Sequence, residues 1–435
     1  CCCGKNCCCC CCLFVLRMEF GRGFIVLLLL VGLVVGGEEV KEYQLDVDER
    51  VLIDLRQRMQ VWRLPQVVEG VGWDRGTDIG YLSEIVEYWK NGFDWRKQEA
   101  MLNSKLPQFT TQIDGLQVHF VHIRSQNKSA LPLLFVHGWP GSIVEVVKIA
   151  PLLADKFHVI APSLPGYGLS EAPKEPGMTP AAIGNIFSQL MPRLGYEHYV
   201  VQGGDWGSLV CTYMGQNDPR VQGVHLNMIP TLPPFSRKGI LATIQTGLKA
   251  IFPFLHEDPN HGEKILRIIL QELGYMHEQA TKPHTLAVAL SDSPIGLLSW
   301  ILEKFFVWGD CNGDIESAFE KDIILTNVML YWISNNIGPS MQLYYEFMNS
   351  NDFLKLDFLE VDVKKPTGFA IFPKELFKQP KSDTSYFYNV CQWSEFETGG
   401  HFAALEEPEK LANDIISFTE NCVNFPSSVS NKNEL

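Results

Sequence analysis

The pattern of apolar and polar positions predicts two helices near the N-terminal end, followed by a strand. Apolar residues recur at helical spacing through 46–62 and again through 79–90. Apolar and polar side chains alternate through 117–123, as they do in a half-buried strand. The pattern therefore indicates that helices precede the first strand.

Farther along, short apolar runs alternate with helical stretches. The predicted strands are 131–136, 157–161, 199–202 and 221–228, and the predicted helices between them are 142–154 and 179–194. Strands that alternate with helices in this way indicate a parallel sheet covered by helices on both faces.

Between about 230 and 360 this alternation stops, and the sequence becomes helical, aromatic and interrupted by Pro and Gly. Strand patterns return at 368–372 and 386–390, and a helix at 408–418 follows them. A helical insertion late in a doubly wound sheet is typical of a lid over a site at the strand ends. We therefore predict an α/β fold with a mostly parallel, doubly wound sheet and a helical lid.

The 435-residue chain is acidic, with a formal net charge of −14. It has no dense patch of Lys and Arg, so nucleic acid is not an expected partner. A small apolar or weakly polar molecule fits this composition better. The sequence shows no spacing typical of a metal site, and we expect neither a metal nor a cofactor.

The N-terminal end has an unusual composition. Nine of the 13 cysteines lie within residues 1–12, and the first methionine is Met18. We interpret 1–17 as translated untranslated sequence or a cloning artefact, and we leave it out of the fold prediction.

An apolar segment follows this end. Arg22 precedes the apolar run 24–35, which is shorter than the roughly 17 to 25 residues that span a bilayer. We predict a signal peptide over 18–37. The alternative is an uncleaved anchor, with membrane association through 24–37.

Two further features bear on location. The sequence KNEL at 432–435 resembles the KDEL retrieval signal. Asn127-Lys128-Ser129 is an acceptor sequence for N-glycosylation, which is used only in the secretory pathway. We expect the protein in the endoplasmic reticulum, either lumenal or membrane-anchored, with secretion as the alternative.

The central chemical motif is the segment around Asp205. A predicted strand runs directly into Gly203-Gly204-Asp205-Trp206-Gly207, and a helix follows. This is the spacing of a nucleophile elbow, with Asp at the position where esterases carry Ser. The alternative is a Gly-rich turn in which Asp205 only caps the helix.

An Asp nucleophile indicates a particular class of reaction. A carboxylate is already ionised at neutral pH and can displace a leaving group at a strained or activated alkyl carbon. The resulting ester must then be hydrolysed by activated water. His401 lies after the last predicted strand between glycines and Phe402, where the base of this fold is expected.

The histidine needs a carboxylate partner, and the sequence offers several. Glu375 lies just past the penultimate strand, where the acid of this fold is often found. Its competitors are Asp362, Asp383 and Glu395.

Backbone N–H groups for an oxyanion are expected at two places. One is Trp139, in the HGWPGS turn that follows the first core strand, and the other is Trp206. His137 of the same turn is expected to be structural. Displacement of an oxygen leaving group from a strained ring would also need an acid, for which the lid offers Tyr275, Tyr331, Tyr344 and Tyr345.

Several motifs together resemble the microsomal epoxide hydrolases, including the insect juvenile-hormone epoxide hydrolases. They are HGWPGS, GGDWGS, LTNVMLYW (325–332), PTGFAIFPKE (366–375) and GGHFAALEEPE (399–409), together with upstream segments 71–103 and 109–123. The resemblance extends from about 43 to 420 and implies an α/β-hydrolase fold with an N-terminal wrapping segment. It also implies hydrolysis of apolar epoxides to vicinal diols.

The resemblance implies the roles of individual residues. It makes Asp205 the nucleophile, His401 the base and Glu375 its acid partner. Its two lid tyrosines correspond to Tyr275, in GYMHEQ, and to Tyr345, in QLYYE.

The resemblance also divides the chain into segments. We expect the N-terminal epoxide-hydrolase segment at 38–125, the first part of the core at 126–230, the lid at 231–360, the second part of the core at 361–425 and a tail at 426–435.

Two other functions compete with this hypothesis. A haloalkane dehalogenase also uses an Asp nucleophile, but it needs halide-binding donors and no acid for an alkoxide. A catalytically silent hormone or lipid carrier could use the same pocket. It would, however, have no need of an ionised carboxylate there.

Overall fold

The structure is a computed structural model that describes residues 39–230, 268–350 and 361–426, together with four short strands between residues 14 and 29. A first compact unit, Cys1–Glu39, contains these strands: β1 (Phe14–Leu16) pairs antiparallel with β4 (Leu27–Leu29), and β2 (Glu19–Phe20) with β3 (Gly23–Phe24). The predictions for 1–17, 18–37 and the tail fall largely outside the described residues.

The second unit, Val40–Leu435, contains a nine-stranded sheet within its described residues. Its strands are β5 (Lys41–Tyr43), β6 (Gln108–Ile113), β7 (Leu116–Ile123), β8 (Leu131–Val136), β9 (Phe157–Pro162), β10 (Tyr199–Gly203), β11 (Val221–Leu226), β12 (Val363–Ile371) and β13 (Tyr388–Glu395). The strand order is β13-β12-β11-β10-β8-β9-β7-β6-β5. The six strands from β8 to β13 pair in parallel, and the other three are antiparallel. The mostly parallel sheet is therefore confirmed.

Helices cover the sheet and form the lid. They are α1 (Glu49–Gln60), α2 (Ile79–Asn91), α3 (Trp95–Lys105), α4 (Val146–Leu153), α5 (Pro180–Arg193), α6 (Asp205–Asn217), α7 (Gly274–Thr281), α8 (Pro283–Asp292), α9 (Pro294–Trp308), α10 (Lys321–Ser334), α11 (Ile337–Met348), α12 (Lys381–Thr384), α13 (Ala403–Glu406) and α14 (Pro408–Cys422). Side chains of Asp48, Asp78 and Asp94 cap α1, α2 and α3 by accepting N–H groups of the first turn.

The predicted strands near the C-terminal end were shifted relative to the observed ones. β12 begins well before the predicted 368–372, because a register irregularity between Val363 and Pro366 accommodates the proline within the strand. β13 runs past the predicted 386–390, because it is the edge strand, where the polar residues Gln392 and Ser394 are tolerated.

The N-terminal segment packs against the described part of the lid. The Tyr88 hydroxyl and the Gln98 amide donate hydrogen bonds to the two carboxylate oxygens of Asp322, at 2.8 and 2.9 Å. Trp73 stacks on Phe306 with ring centroids 4.1 Å apart. These contacts join the wrapping segment to helices α9 and α10, so the lid is braced from outside the core.

The lid also holds the loop that follows β8. Asn327 on α10 donates to the carbonyl oxygen of Pro140 at 2.7 Å and accepts a hydrogen bond from Ser142 at 2.7 Å. The hydroxyl of Tyr331 donates to the carbonyl oxygen of Gly141 at 2.8 Å. Because all of these groups are buried, the loop is fixed by one lid helix.

A disulfide joins Cys391 on β13 to Cys422 at the end of α14, across a sequence separation of 31 residues. The sequence analysis did not predict it. A cross-link over a loop of this length typically stabilises a folded domain by about 2–4 kcal/mol. Cys211 and Cys311 are buried free thiols.

Among the described residues, no single helix is long and apolar enough to cross a membrane. Helices α8 and α9, which are bent by 117° at their junction, meet the length and composition criteria only as a pair.

Candidate active site

Asp205 lies at a sharp turn between β10 and α6. Its φ angle is +47°, a left-handed backbone conformation that costs a non-glycine residue about 1–3 kcal/mol and that often marks a functional site. Glycines permit this turn. A Cβ on Gly207 would lie 2.0 Å from the carbonyl oxygen of Val136, and a Cβ on Gly203 would lie 2.5 Å from the carbonyl carbon of Gly207. The predicted elbow is therefore present.

Two backbone N–H groups lie near the Asp205 carboxylate. One of them faces the carboxylate, and the other belongs to the next residue in the chain. The N–H of Trp139 donates to Oδ1 of Asp205 at 2.8 Å. The N–H of Trp206 lies in the first turn of α6, where N–H groups have no intrahelical acceptor and the helix dipole favours negative charge. The two backbone N–H groups that the sequence indicated, those of Trp139 and Trp206, therefore both lie beside Asp205.

His401 connects Asp205 to Glu375. Its Nε2 lies 3.5 Å from Oδ2 of Asp205, and its Nδ1 lies 2.9 Å from Oε2 of Glu375. Glu375 is 4% exposed, so this second contact is shielded from water. The three residues that the resemblance named therefore form one connected chain of side chains.

The protonation of His401 depends on these two carboxylates. Burial by itself would lower the pKa of the imidazole. The charge and hydrogen bond of Glu375, together with those of Asp205, outweigh burial and raise the pKa well above its ordinary value. The two carboxylates therefore favour the protonated form of His401.

The other candidate acids lie elsewhere. Asp362 forms an ion pair with Lys364 near the start of β12, and Asp383 belongs to the short helix α12. Glu395 accepts a hydrogen bond from the indole of Trp393 at 2.8 Å. Only Glu375, of the four candidates, contacts His401.

His137 has both ring nitrogens engaged in the buried loop. Nδ1 lies 2.9 Å from the carbonyl oxygen of Gly138, and Nε2 accepts from the N–H of Leu164 at 3.2 Å. Burial lowers its pKa to about 4. These contacts fit the expected structural role.

Two lid tyrosines lie above the elbow. The ring of Tyr275 stacks on Trp139 with centroids 5.3 Å apart, and Tyr344 packs edge-on against Trp206 at 4.7 Å. Burial, with an added contribution from the charge of Asp205, raises the pKa of both hydroxyls well above its ordinary value. Both tyrosines are therefore neutral and able to donate a hydrogen bond.

The prediction of Tyr345 is wrong by one residue. Tyr345 is 40% exposed, whereas Tyr344 is 2% exposed and lies in the site. Successive side chains on a helix point about 100° apart, so only one of two adjacent tyrosines on α11 can face the elbow. Tyr331 is not available either, because its hydroxyl already donates to the carbonyl oxygen of Gly141.

The loop that carries His401 is attached to the lid. The N–H of His401 donates to the carbonyl oxygen of Trp308 at 2.9 Å. The Glu406 carboxyl accepts N–H groups from Phe402 at 2.9 Å and from Asp310 at 2.7 Å. Burial raises the pKa of Glu406 to about 7. The imidazole is thus positioned by backbone contacts to the end of α9.

Glu145 is a site residue that the sequence analysis did not name. It contributes to the wall of the small cavity beside Asp205 and His401. It falls in the stretch predicted as the helix 142–154, where an acidic residue is ordinarily taken as solvent-exposed. Nothing in the local pattern indicated its burial.

Among the described residues, no group of three or more His, Cys, Asp or Glu side chains is arranged to hold a metal ion.

Two known protein families match adjoining segments of the chain. Residues 40–146 match the family described as "Epoxide hydrolase N terminus", and residues 132–245 match the family described as "alpha/beta hydrolase fold".

Individual proteins are similar over most of the chain. "Epoxide hydrolase 1" of Sus scrofa is 40% identical over 413 residues, which cover 88% of each protein. The crystal structure of juvenile hormone epoxide hydrolase from the silkworm Bombyx mori matches with a TM-score of 0.81 and 37% identity, covering 88% of this chain and 94% of that one. The structure of Aspergillus niger epoxide hydrolase matches with a TM-score of 0.74 and 32% identity, covering 88% and 97%.

The geometry predicts how the pKa of His401 responds to substitution. Glu375→Gln removes the carboxylate charge beside Nδ1, so we expect the pKa of His401 to fall. Nitrogen-15 NMR titration of the imidazole measures this change. Asp383→Asn is the matched control and should leave the pKa where it was. An unchanged pKa in Glu375→Gln would contradict the 2.9 Å contact.

Proposed function

This chain belongs to the epoxide hydrolases of the α/β-hydrolase fold, and on that premise we propose that Asp205 opens the epoxide ring as a nucleophile and forms a covalent alkyl ester. The observation that carries the proposal is the position of the Asp205 carboxylate, which contacts the N–H of Trp139 on one oxygen and faces His401 on the other.

In the first half-reaction, an oxygen of Asp205 bonds to an epoxide carbon while the carbon–oxygen bond of the ring breaks. The leaving oxygen develops negative charge and takes a proton. Tyr275 and Tyr344 are the proposed donors, because both are buried and neutral, and the charge of Asp205 contributes to the raised pKa of each hydroxyl. The resemblance alone had pointed to Tyr345 instead.

Alkylation then changes the protonation of His401. Esterification removes the negative charge of Asp205, which is one of the two carboxylates that raise the pKa of the imidazole. The pKa of His401 falls, and the imidazolium releases its Nε2 proton, which restores the tyrosine hydroxyl that protonated the alkoxide. His401 thereby becomes a base only after the ester has formed.

In the second half-reaction, His401 takes a proton from water while the water oxygen bonds to the acyl carbon of Asp205. The tetrahedral intermediate carries its negative charge on an oxygen near the N–H groups of Trp139 and Trp206. Loss of one such donor typically costs about 10²–10³ in rate. Collapse breaks the bond to the diol oxygen, which takes the remaining proton of the water, and it restores the Asp205 carboxylate beside protonated His401.

The aromatic surroundings of the site favour an apolar epoxide as substrate. Trp139, Trp206, Trp308, Tyr275 and Tyr344 pack around the elbow and leave few polar groups for a hydrophilic substrate. Relatives named juvenile hormone epoxide hydrolases are 35–37% identical, which makes a long-chain epoxide of that chemical type one candidate. The two buried tyrosine hydroxyls favour this function over a haloalkane dehalogenase.

We further propose that the hydrolase core faces the lumen of the endoplasmic reticulum. The disulfide between Cys391 and Cys422 supports an oxidising compartment, because cytosolic thiols are kept reduced. Asn127 lies on a partly exposed loop within its acceptor sequence, where a glycan is possible only on the lumenal side.

The covalent mechanism predicts the source of the first diol oxygen. In oxygen-18 water, the diol of a single turnover should carry unlabelled oxygen from Asp205. Asp205→Asn should abolish turnover, and His401→Gln should accumulate the ester, visible by mass spectrometry of the intact protein. Label in the first-turnover diol would instead mean direct attack by water.

The two adjacent tyrosines offer a matched pair of variants. Tyr344→Phe should slow ester formation by roughly 10- to 100-fold, because Tyr275 remains as a second donor. Tyr345→Phe removes an exposed hydroxyl and should leave the rate within about twofold. Rapid mixing with styrene oxide, followed by protein fluorescence, measures both. Equal effects of the two substitutions would argue against the assignment of Tyr344.

The lumenal location predicts two covalent modifications of protein made in its own cells. Cys391 and Cys422 should react with a maleimide only after reduction, with the Cys391→Ser/Cys422→Ser variant as the control. Endoglycosidase treatment should increase the gel mobility of the wild type but not that of Asn127→Gln. Reduced cysteines together with an unmodified Asn127 would indicate the cytosolic face.

A further inference from the structure

Glu145 is a partly buried acidic residue beside the active site for which the mechanism so far has no role. It ends the short 3-10 turn Ile143–Glu145, directly before α4. Burial raises its pKa to about 8, and the neighbouring charges of His401 and Asp205 act on it in opposite directions. A carboxyl group in this position is costly to bury and therefore needs an explanation in terms of local chemistry.

A small cavity lies against Glu145 and both catalytic side chains. Its volume of about 10 Å³ is enough for one water molecule. The polar side chains in its lining are those of Glu145, Asp205, His401, Gln202 and Asn227. The cavity therefore brings together the two groups that the hydrolytic step requires, Asp205 and His401, and the carboxyl group of Glu145.

A second polar group of this cavity needs a partner. Gln202 is 1% exposed, and its amide nitrogen donates to Asn227 at 2.8 Å. Its Oε1 atom is buried and has no hydrogen-bond partner among the described residues. A buried acceptor without a partner, on a residue that lines a water-sized cavity, is typical of a site that holds ordered water.

Gly141 provides the space for the Glu145 carboxyl. A Cβ on Gly141 would lie 1.7 Å from Oε1 of Glu145. Any larger residue at position 141 would therefore displace the carboxyl from the cavity wall. The loop thus combines two functions, since it also presents the N–H of Trp139 to Asp205.

We propose that Glu145 positions the hydrolytic water in the second half-reaction. One hydrogen of that water is directed to Nε2 of His401 and the other to an oxygen of Glu145, so that a lone pair points at the acyl carbon of Asp205. His401 takes the first proton as the new carbon–oxygen bond forms, and Glu145 keeps its own protonation state throughout. The proposal rests on the covalent mechanism given above.

Glu145 can play this part in either protonation state. A carboxylate oxygen and the carbonyl oxygen of a neutral carboxyl both accept a hydrogen bond from water. A glutamine at this position also offers a carbonyl oxygen of similar reach, whereas a leucine fills the same volume without an acceptor. The two substitutions therefore separate the hydrogen bond from the packing.

The test follows the two half-reactions of the full-length enzyme with styrene oxide. Protein fluorescence in rapid mixing gives the rate of ester formation, and quenched-flow mass spectrometry gives the rate of ester decay. In Glu145→Leu we expect ester decay to slow by roughly 10- to 100-fold while ester formation stays within about threefold. Glu145→Gln should retain ester decay within about fivefold of the wild type.

A second pair of variants reaches the same carboxyl without deleting it. Gly141→Ala should displace the Glu145 carboxyl group and slow ester decay selectively. Glu145→Ala should have the same effect. The double variant should be no slower than the slower single variant, because both substitutions remove one interaction. This pair also serves if Glu145→Leu does not fold.

Several outcomes overturn the proposal. Unchanged ester decay in Glu145→Leu and Glu145→Ala would do so. An equal slowing of both half-reactions, together with a lower Tm, would do so as well, because Glu145 would then only support the fold around Asp205. If neither the wild type nor His401→Gln ever forms an ester, the covalent mechanism fails instead, and that result is distinguishable by mass.

Discussion

The carboxylate of Asp205 is held at a left-handed backbone angle between a strand end and a helix start, where it contacts a backbone N–H and faces an imidazole. Most other features of the molecule serve this arrangement. The parallel strands bring their carboxyl ends to one edge, so the loops after β8, β10 and β12 meet there. Gly203 and Gly207 are required in the elbow because backbone atoms occupy the space that a Cβ atom at either position would need.

The electrostatics of the site follow from burying three carboxyl groups near one histidine. Burial disfavours each charge, and the imidazolium of His401 compensates two of them, those of Asp205 and Glu375. Glu145 is the third, and burial raises its pKa to about 8. In the mechanism that we propose, conversion of Asp205 to an ester removes one charge from this balance. The same event would then complete the first half-reaction and prepare His401 as the base for the second.

The lid contributes rigidity as well as chemistry. Helix α10 binds the loop of Trp139 through Asn327 and Tyr331, and the end of α9 binds the loop of His401 through its carbonyl and N–H groups. The N-terminal segment in turn contacts α10 through Tyr88 and Gln98 and α9 through Trp73. Loops that carry catalytic groups are thus held by elements far away in sequence, as precise positioning requires.

The sequence by itself determined the α/β class, the elbow at Asp205, the candidate base His401 and the parallel strands, because each depends on local periodicity or on a motif of a few adjacent residues. Tertiary structure decided what depends on direction and on contacts between distant segments. It places Tyr344 in the site and leaves Tyr345 exposed, because adjacent residues of a helix point in different directions. A sequence motif does not determine which of the two faces the site. It joined Cys391 to Cys422, placed Glu145 beside Asp205 and brought Glu375, which the family resemblance had already named, against His401, because these contacts depend on which distant segments fold against one another.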